Sequence, residues 1–476
     1  MATAEATKAM ARRLVVIGGG AAGMSAASAA RRVDRDLEVV VLEAGGYAAY
    51  GMCGLPYYLG GEVEEAEQLL AYPPQFFAEK RGIDLRLNTA ATGLDVEQRR
   101  VRFRTGAAGT PSDCEEHKRA TSTGERTEQE LGYDRLVMAA GGIPVRPQAL
   151  GLDDPGVFTV RSLADAVRLR GLLEAKQVTT AVVVGAGYIG LEMAEALAAQ
   201  GVDVTVVEAA PVALPMVDPP MSEMVAEEVR RHGVELCLGA TVTGLSRSGE
   251  RLVVAAGAAE WVVDLVVVAV GVRPAVGLVA AAGAATGPAG ALLVDDRMRT
   301  SLPDVFAAGD CIAVHHRVLD GPAYVPLGPA ANKTGQVAGI VAAGGDARFP
   351  GVVGTAVVKV FDLTVALTGL SLAEARAAGM VAEVTESVGR SRAKYYPGAS
   401  PVTIRLVHGA GGRLLGAQMA GRDPSVAKRI DALAVALHAG LGLEDLAALD
   451  LSYAPPYAPV YEPVLLAARS AVPIPG

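Results

Sequence analysis

Four cysteines in 476 residues, Cys53, Cys114, Cys237 and Cys311, are too widely spaced for a disulfide framework or a close-set zinc site. That spacing fits a reducing compartment, with the cytoplasm as the default location, and no metal is expected. Basic tracts are also missing: 43 Lys and Arg stand against 52 Asp and Glu, for a formal net charge of -9. A broad nucleic-acid surface needs a clustered positive field, so nucleic acid is not an expected partner. Only local anion sites remain, built from helix starts and a few chosen cations. No apolar run has the length and flanking charge of a membrane span, and the mildly basic MATAEATKAMARR leads straight into glycines, so no membrane partner is expected. Charged residues make up only 20% against 51% apolar, which is the composition of compact globular domains. The length predicts two or three of them.

Two segments repeat one construction. Leu14 to Ile17 reads as a strand, followed by Gly18, Gly20 and Gly23, a helix to about Arg32, and a strand from Leu37 to Leu42 closing on Glu43. The pattern returns as Ala181 to Val184, then Gly185, Gly187 and Gly190, a helix through Ala199, and a strand from Asp203 to Val207 ending at Glu208. In such a βαβ unit the glycines allow a tight turn, backbone approach to a pyrophosphate and close helix packing, while the terminal acid accepts hydrogen bonds from an adenosine ribose. Two nucleotides in one chain imply an electron relay. A carboxylate at Glu208 repels a 2'-phosphate, and residues 209 to 213 offer no arginine to neutralise one, so NADH is favoured with NADPH as the alternative.

Fold class follows: α/β, with two Rossmann-like nucleotide-binding domains, one inserted in the other, and a C-terminal α+β domain. The expected boundaries are 1–150 with 275–345 for the first nucleotide, 151–274 for the second and 346–476 for the last domain. Residues 261–274 read as a buried strand leaving through a turn and 291–310 as a strand pair with a glycine-acid end, with further strands after 350 and a helix from about Ser425 to Ala439. The polar stretch near 109–130, carrying Cys114 and His117, reads as an exposed insertion.

Cys53 lies in AYGMCGLPYY, where glycines and a proline mark a short turn or helix start that would favour a thiolate. Taken alone, the residue suits a buried structural cysteine equally well. Disulfide reductases of the glutathione or lipoamide type use a cysteine pair separated by four residues, and Tyr58 stands where the second would fall, so that comparison implies an oxidised form that is a mixed disulfide, a persulfide or a sulfenic acid.

VVIGGGAAGMSAA, LVMAAGGIP, VVVGAGYIGLEMAEAL and TSLPDVFAAGD together resemble the pyridine nucleotide-disulfide oxidoreductase superfamily over nearly the full length. The resemblance implies FAD in the first fold and NAD(P)H in the inserted one. It assigns Asp310, after Gly309, to the ribityl and pyrophosphate region, and Gly141 to the domain crossing; read without it, a helix cap is the minor alternative for Asp310. Ala140 stands where threonine is commoner.

The lone cysteine, CGLPYYLGG, PLGPAANKTGQVAG and KRID resemble the branch holding coenzyme A-disulfide reductase, NADH oxidase and NADH peroxidase, closest to the first. Ala21 occupies the place of the histidine usual in the peroxidases and oxidases, while Ala49, Tyr50 and Met52 depart from the usual serine, phenylalanine and asparagine of the coenzyme A enzymes. The resemblance implies a homodimer in which phenols from the other subunit reach the sulfur. Tyr396 and Tyr457 are the candidates, with turn packing as their plainer role. An anionic coenzyme A substrate needs cations, and Arg31, Arg32, Lys333 and Arg429, with Asn332, are the candidates, each also readable as a surface residue. Glu192 and Glu195 read as helix acids, one of them approaching the nicotinamide side. The expected activity is flavin-dependent reduction of coenzyme A disulfide or a related mixed disulfide. Persulfide or polysulfide reduction, NADH oxidation and a redox-sensing interaction module are the alternatives.

Overall fold

The computed structural model describes residues 12–106, 128–147, 150 and 154–471. Arg13–Ile17 and Glu38–Leu42 pair in parallel around the helix Ala21–Val33. The sheet runs, from one edge, Val305–Ala307, Arg135–Met138, Arg13–Ile17, Glu38–Leu42 and Ile83–Arg86, every pairing parallel. Its β-branched runs are buried on both faces, as a sheet with helical cover requires. Helix Gly328–Ala342 lies against Ala21–Val33 closely enough that a Cβ on Gly335 would fall 2.2 Å from the Ala22 carbonyl oxygen, and one on Gly339 2.1 Å from that of Ala26. Small residues on both helices therefore set their approach.

A second parallel sheet has the order Glu235–Leu238, Asp203–Glu208, Thr180–Val184, Leu265–Val268 and Val157–Phe158, with helix Tyr188–Ala199 between its central strands. The chain enters and leaves this unit through two short strands, Gly142–Pro144 and Val272–Pro274, paired antiparallel. The last unit is a five-stranded antiparallel sheet in the order Ala356–Val360, Leu363–Gly369, Leu414–Gly421, Pro401–Gly409 and Ala382–Arg390. Helices Val426–Ala439 and Pro463–Ala471 contribute to its core. The α/β class is as expected.

Two local expectations need correction. Residues 261–274 form no single strand: Ala259–Val263 belongs to a hairpin, Leu265–Val268 to the buried sheet and Val272–Pro274 to the crossing. Asp264 makes the break, its carboxylate accepting the amides of Thr179 at 2.9 Å and Thr180 at 3.0 Å. Nor are the strands of 291–310 a pair, since Leu292–Leu293 joins Ile312–His316 whereas Val305–Ala307 joins the first sheet. Cys114, His117 and most of the 109–130 insertion lie outside the described residues; its flanks, Arg100–Thr105 and Gln129–Gly132, pair antiparallel.

Candidate active site

Both glycine loops are built alike. Gly18 has φ +105° and Gly185 φ +107°, and a Cβ would sit 2.3 Å from the Ala139 oxygen at the first and 2.6 Å from the Ala269 oxygen at the second. Gly23 and Gly190 press on the loops themselves, 1.9 and 2.0 Å by the same measure from the carbonyl oxygens of Gly18 and Gly185. Gly20 and Gly187 differ: a Cβ on either meets no protein atom within 4 Å, so a glycine there leaves space for something other than the chain. The acids also match. Glu43 accepts from the amides of Gly19 at 2.6 Å and Gly45 at 2.7 Å, and Glu208 from those of Ala186 at 2.6 Å and Ala210 at 2.7 Å. Each carboxylate is thus locked by its own loop, with lone pairs left for a ribose. Burial pushes Glu43 up against these amides.

A cavity of 440 Å³ opens along the first loop, lined among others by Gly18, Gly20, Glu43, Met52, Gly141 and Asp310. Asp310 caps no helix, since the next element is the strand Ile312–His316. Gly309, at φ +81°, is turned so that its amide donates to Thr334 at 3.1 Å, and Gly141 takes φ +72° at the crossing. The guanidinium of Arg161 stands 3.4 Å from Asp310 and donates to the Gly142 carbonyl at 3.2 Å. Tyr324 has a buried hydroxyl without a hydrogen-bond partner, in the field of Asp310 and Arg161. The open Gly20, the locked acid and the orphaned phenol fit FAD, whose pyrophosphate and polar ring edge need such partners. Arg161 and Tyr324 escaped sequence reading because neither belongs to a glycine motif; only folding brings Arg161 to the cavity and Tyr324 into the field of Asp310 and Arg161.

Cys53 sits in a single 3₁₀ turn, Met52–Gly54, ahead of the short helix Leu55–Gly60. That helix docks on the second nucleotide unit, where Gln200 donates to the Gly60 carbonyl at 2.7 Å and a Cβ on Gly60 would lie 3.5 Å from the Ala196 Cα. The cysteine segment therefore bridges the two nucleotide units. Cys53 reaches solvent, yet the packing around its sulfur still disfavours charge. Burial first, then Glu192 and Asp310, push the thiol up, with Arg161 opposing. The expected thiolate stabilisation by a helix start is therefore corrected: one short turn does not outweigh desolvation and two carboxylates. Tyr58, in the position of the absent second cysteine, is buried.

Other sequence candidates are divided. Arg31 is committed to backbone, donating to the carbonyls of Arg81 at 3.1 Å, Leu37 at 2.8 Å and Arg35. Arg32 and Lys333 are exposed, and Asn332 is exposed while bonding the Ser25 hydroxyl. Arg429 is corrected from an anion site to an internal clamp. It pairs with Glu462 at 2.7 Å and donates to the carbonyls of Ser391 at 2.6 Å and Tyr457 at 2.9 Å, so its charge is already matched. Through these bonds it holds together the segments bearing Tyr396 and Tyr457, whose side chains are exposed in the single chain beside Tyr395, Tyr453, Val460 and Tyr461. Glu195 pairs with Lys359 and accepts the Phe361 amide at 2.7 Å. Glu192 receives no hydrogen bond from the described residues; burial and Glu195, against Lys359, push it up to about 7.

The described residues contain no helix long and apolar enough to cross a membrane. The pyridine nucleotide-disulphide oxidoreductase family matches residues 12–336, and the dimerisation domain of the same family matches residues 355–463. Among similar proteins, an NAD(P)H coenzyme A polysulfide/persulfide reductase of Pyrococcus horikoshii is 37% identical over 97% of this chain and 98% of its own. A coenzyme A disulfide reductase of Staphylococcus haemolyticus is 29% identical over 94% of this chain and 96% of its own. Among solved structures, an NAD-dependent persulfide reductase from A. fulgidus superimposes with a TM-score of 0.89 at 37% identity, covering 96% of this chain and 83% of its own. A water-forming NADH oxidase from Lactobacillus brevis bound to NADH gives 0.88 at 29% identity, covering 97% and 98%.

Proposed function

Because the chain belongs to the pyridine nucleotide-disulphide oxidoreductase family, a class of FAD-dependent oxidoreductases, we propose that it uses NADH to reduce a sulfur–sulfur bond carried by coenzyme A, through Cys53. The observation that carries this is that Cys53, the one exposed cysteine among the described residues, lies in a segment bridging both nucleotide units, with Tyr58 buried where the second cysteine of disulfide reductases would stand. The same reading assigns 1–150 with 275–345 to FAD, 151–274 to NADH and 346–476 to a homodimer interface, in a reducing compartment such as the cytoplasm.

Gly18, Gly20 and Gly23 with Glu43 receive the adenosine diphosphate of FAD, while Gly141, Gly309 and Asp310 shape the remainder of its cavity. Gly185, Gly187 and Gly190 with Glu208 do the same for NADH. FAD, when bound, relays two electrons from the nicotinamide to sulfur. Cys53, as thiolate, attacks the sulfur–sulfur bond of the substrate, keeps one sulfur in covalent linkage and expels the other; two electrons then cleave that linkage and free the thiolate again. Tyr396 and Tyr457 of the partner subunit donate hydrogen bonds to the departing sulfur, and Arg32, Lys333 and Asn332 meet the anionic end of coenzyme A.

Persulfide and polysulfide forms of coenzyme A take precedence over the disulfide, reversing the order expected from sequence. The more similar relative is named for them over nearly its whole length, and Ala49, Tyr50 and Met52 depart from the residues usual in the disulfide enzymes. Oxygen ranks behind both sulfur acceptors, Ala21 replacing the usual histidine.

The test is an anaerobic NADH titration of the holoenzyme, followed by coenzyme A persulfide, coenzyme A disulfide or oxygen, with sulfide, thiol and peroxide measured. Cys53→Ser should abolish sulfur reduction while NADH still bleaches the flavin. Sulfur turnover by that variant would end the proposal.

A further inference from the structure

Although it belongs to the first nucleotide unit in sequence, the cysteine helix Leu55–Gly60 packs into the core of the second. Leu55, Tyr58 and Leu59 are buried in one cluster with Leu163, Leu169, Met193 and Leu197. Just ahead of the helix, Met52 lines the cavity of the first unit, so Cys53 sits between a cavity in one unit and a helix seated in the other. Six residues are too few for a helix to stand on its own hydrogen bonds, so its place is set by whatever holds its ends. The last carbonyls of a helix lack partners inside it. Here the Tyr57 carbonyl accepts the amides of Gly61 at 3.1 Å, Glu62 at 2.9 Å and Val63 at 3.2 Å. The Gly60 carbonyl accepts from Gln200 at 2.7 Å, and the Tyr58 carbonyl from the Arg170 guanidinium at 2.6 Å.

Arg170 is aimed before it meets that carbonyl. It stands on helix Leu163–Glu174 with its Nε held by Glu174 at 2.7 Å, which leaves the rest of the planar fork directed at the cysteine helix. Its guanidinium carbon also lies 5.5 Å from the centre of the buried Tyr58 ring. A cation is favoured at the C-terminal end of a helix by the carbonyl partial charges gathered there. Gly61, at φ +91°, turns the chain away beside both donors: a Cβ on it would stand 3.2 Å from Gln200 Nε2 and 3.7 Å from Arg170 Nη1.

We propose that Arg170, assisted by Gln200, is a positioning residue for the sulfur step: it fixes the C-terminal end of the cysteine helix on the second nucleotide unit and so sets where Cys53 meets its substrate. The idea rests on Cys53 being the redox sulfur. Arg170 lies outside the lining of the first cavity, so its loss spares electron entry and acts on sulfur reduction.

Three variants of the holoenzyme test this. Arg170→Met keeps a stem against the Tyr58 ring and removes the donor, Arg170→Lys keeps a donor, and Gln200→Leu removes the neighbouring one. Stopped-flow reduction of the flavin by NADH should match wild type in all three. Single-turnover reduction of coenzyme A persulfide should fall roughly ten- to a hundredfold in Arg170→Met, because small misplacements of a reacting group are costly. It should fall less in Gln200→Leu and recover most of its rate in Arg170→Lys. Iodoacetamide alkylation of Cys53, quantified on its peptide, should instead quicken about threefold or more in Arg170→Met, since a loosened turn admits water to packing that disfavours the thiolate. Wild-type sulfur reduction in Arg170→Met overturns the proposal. So does an equal fall in electron entry and sulfur reduction, an alkylation rate that stays put, or a lysine that restores nothing. Should Arg170→Met not fold, Gln200→Leu carries the same readouts. If Cys53→Ser still reduces the persulfide, the failure lies with Cys53 as redox sulfur; an inactive Cys53→Ser beside an unaffected Arg170→Met isolates it to the clamp.

Discussion

Neighbouring glycines in one loop answer to different neighbours. Alanine at Gly23 would drive its Cβ into the Gly18 carbonyl, so Gly23→Ala is expected to cost about 2 kcal/mol of stability, seen as a lower midpoint in urea unfolding. Alanine at Gly20 touches no protein atom, so Gly20→Ala should leave the flavin-free protein as stable as wild type while lowering its FAD content severalfold, read from flavin absorbance after gel filtration. Equal flavin retention would place the pyrophosphate elsewhere. At the second loop the carboxylate of Glu208 is held in place by two amides, and under the NADH reading it would oppose a 2'-phosphate. Replacing it with alanine together with Ala209→Arg should raise the kcat/KM ratio of NADPH to NADH by about tenfold or more, a change of roughly 1.4 kcal/mol. These glycines and acids were legible in sequence because each acts within its own βαβ unit. Arg161, Tyr324 and the altered acidity of Glu192 were not, since each depends on groups far along the chain.

Elements are joined through buried carboxylates. Glu228, on helix Pro219–Arg231 and only 1% exposed, accepts from Arg231 at 2.6 Å, from Arg422 at 2.7 Å and from the Asp362 amide at 3.2 Å, tying the second nucleotide unit to the C-terminal sheet. His232 and Asp362 stand close enough to suggest a metal centre with it, but the arginines already occupy its oxygens. Burial opposes ionisation of Glu228; the guanidinium groups prevail and hold it down to about 2. Its folded pKa lies below the ordinary value of about 4.3, so the clamp contributes fully above about pH 5 and weakens as pH falls toward 2. Glu228→Ala should therefore lose about 3 kcal/mol at pH 7, with the gap to wild type narrowing at pH 3 in urea unfolding. A constant gap would mean that the charge is not what holds the units together. Helix Leu55–Gly60 shows the same dependence on remote partners: the turn was expected from Gly54 and Pro56, but its seat on Tyr188–Ala199 was not, because that surface lies over a hundred residues away.

At the scale of the whole molecule, Tyr395, Tyr453, Tyr457, Val460 and Tyr461 are all exposed on the C-terminal domain, and under the proposed function they belong to the surface that would meet a second copy. Val460→Glu should shift the protein toward monomer in analytical ultracentrifugation and depress sulfur reduction, while NADH still reduces the flavin. A dimer that persists with full activity would move the interface elsewhere. The chain order of strands, glycines and acids by itself determined the α/β class, the two nucleotide loops and the absence of an internal disulfide partner, because hydrogen-bond geometry and the four-residue gap are local matters. Tertiary structure alone decided that Arg429 pairs with Glu462 and that burial, Glu192 and Asp310 push the Cys53 thiol up. Charge and desolvation depend on every group within a few ångströms, and most of those groups arrive from distant parts of the chain.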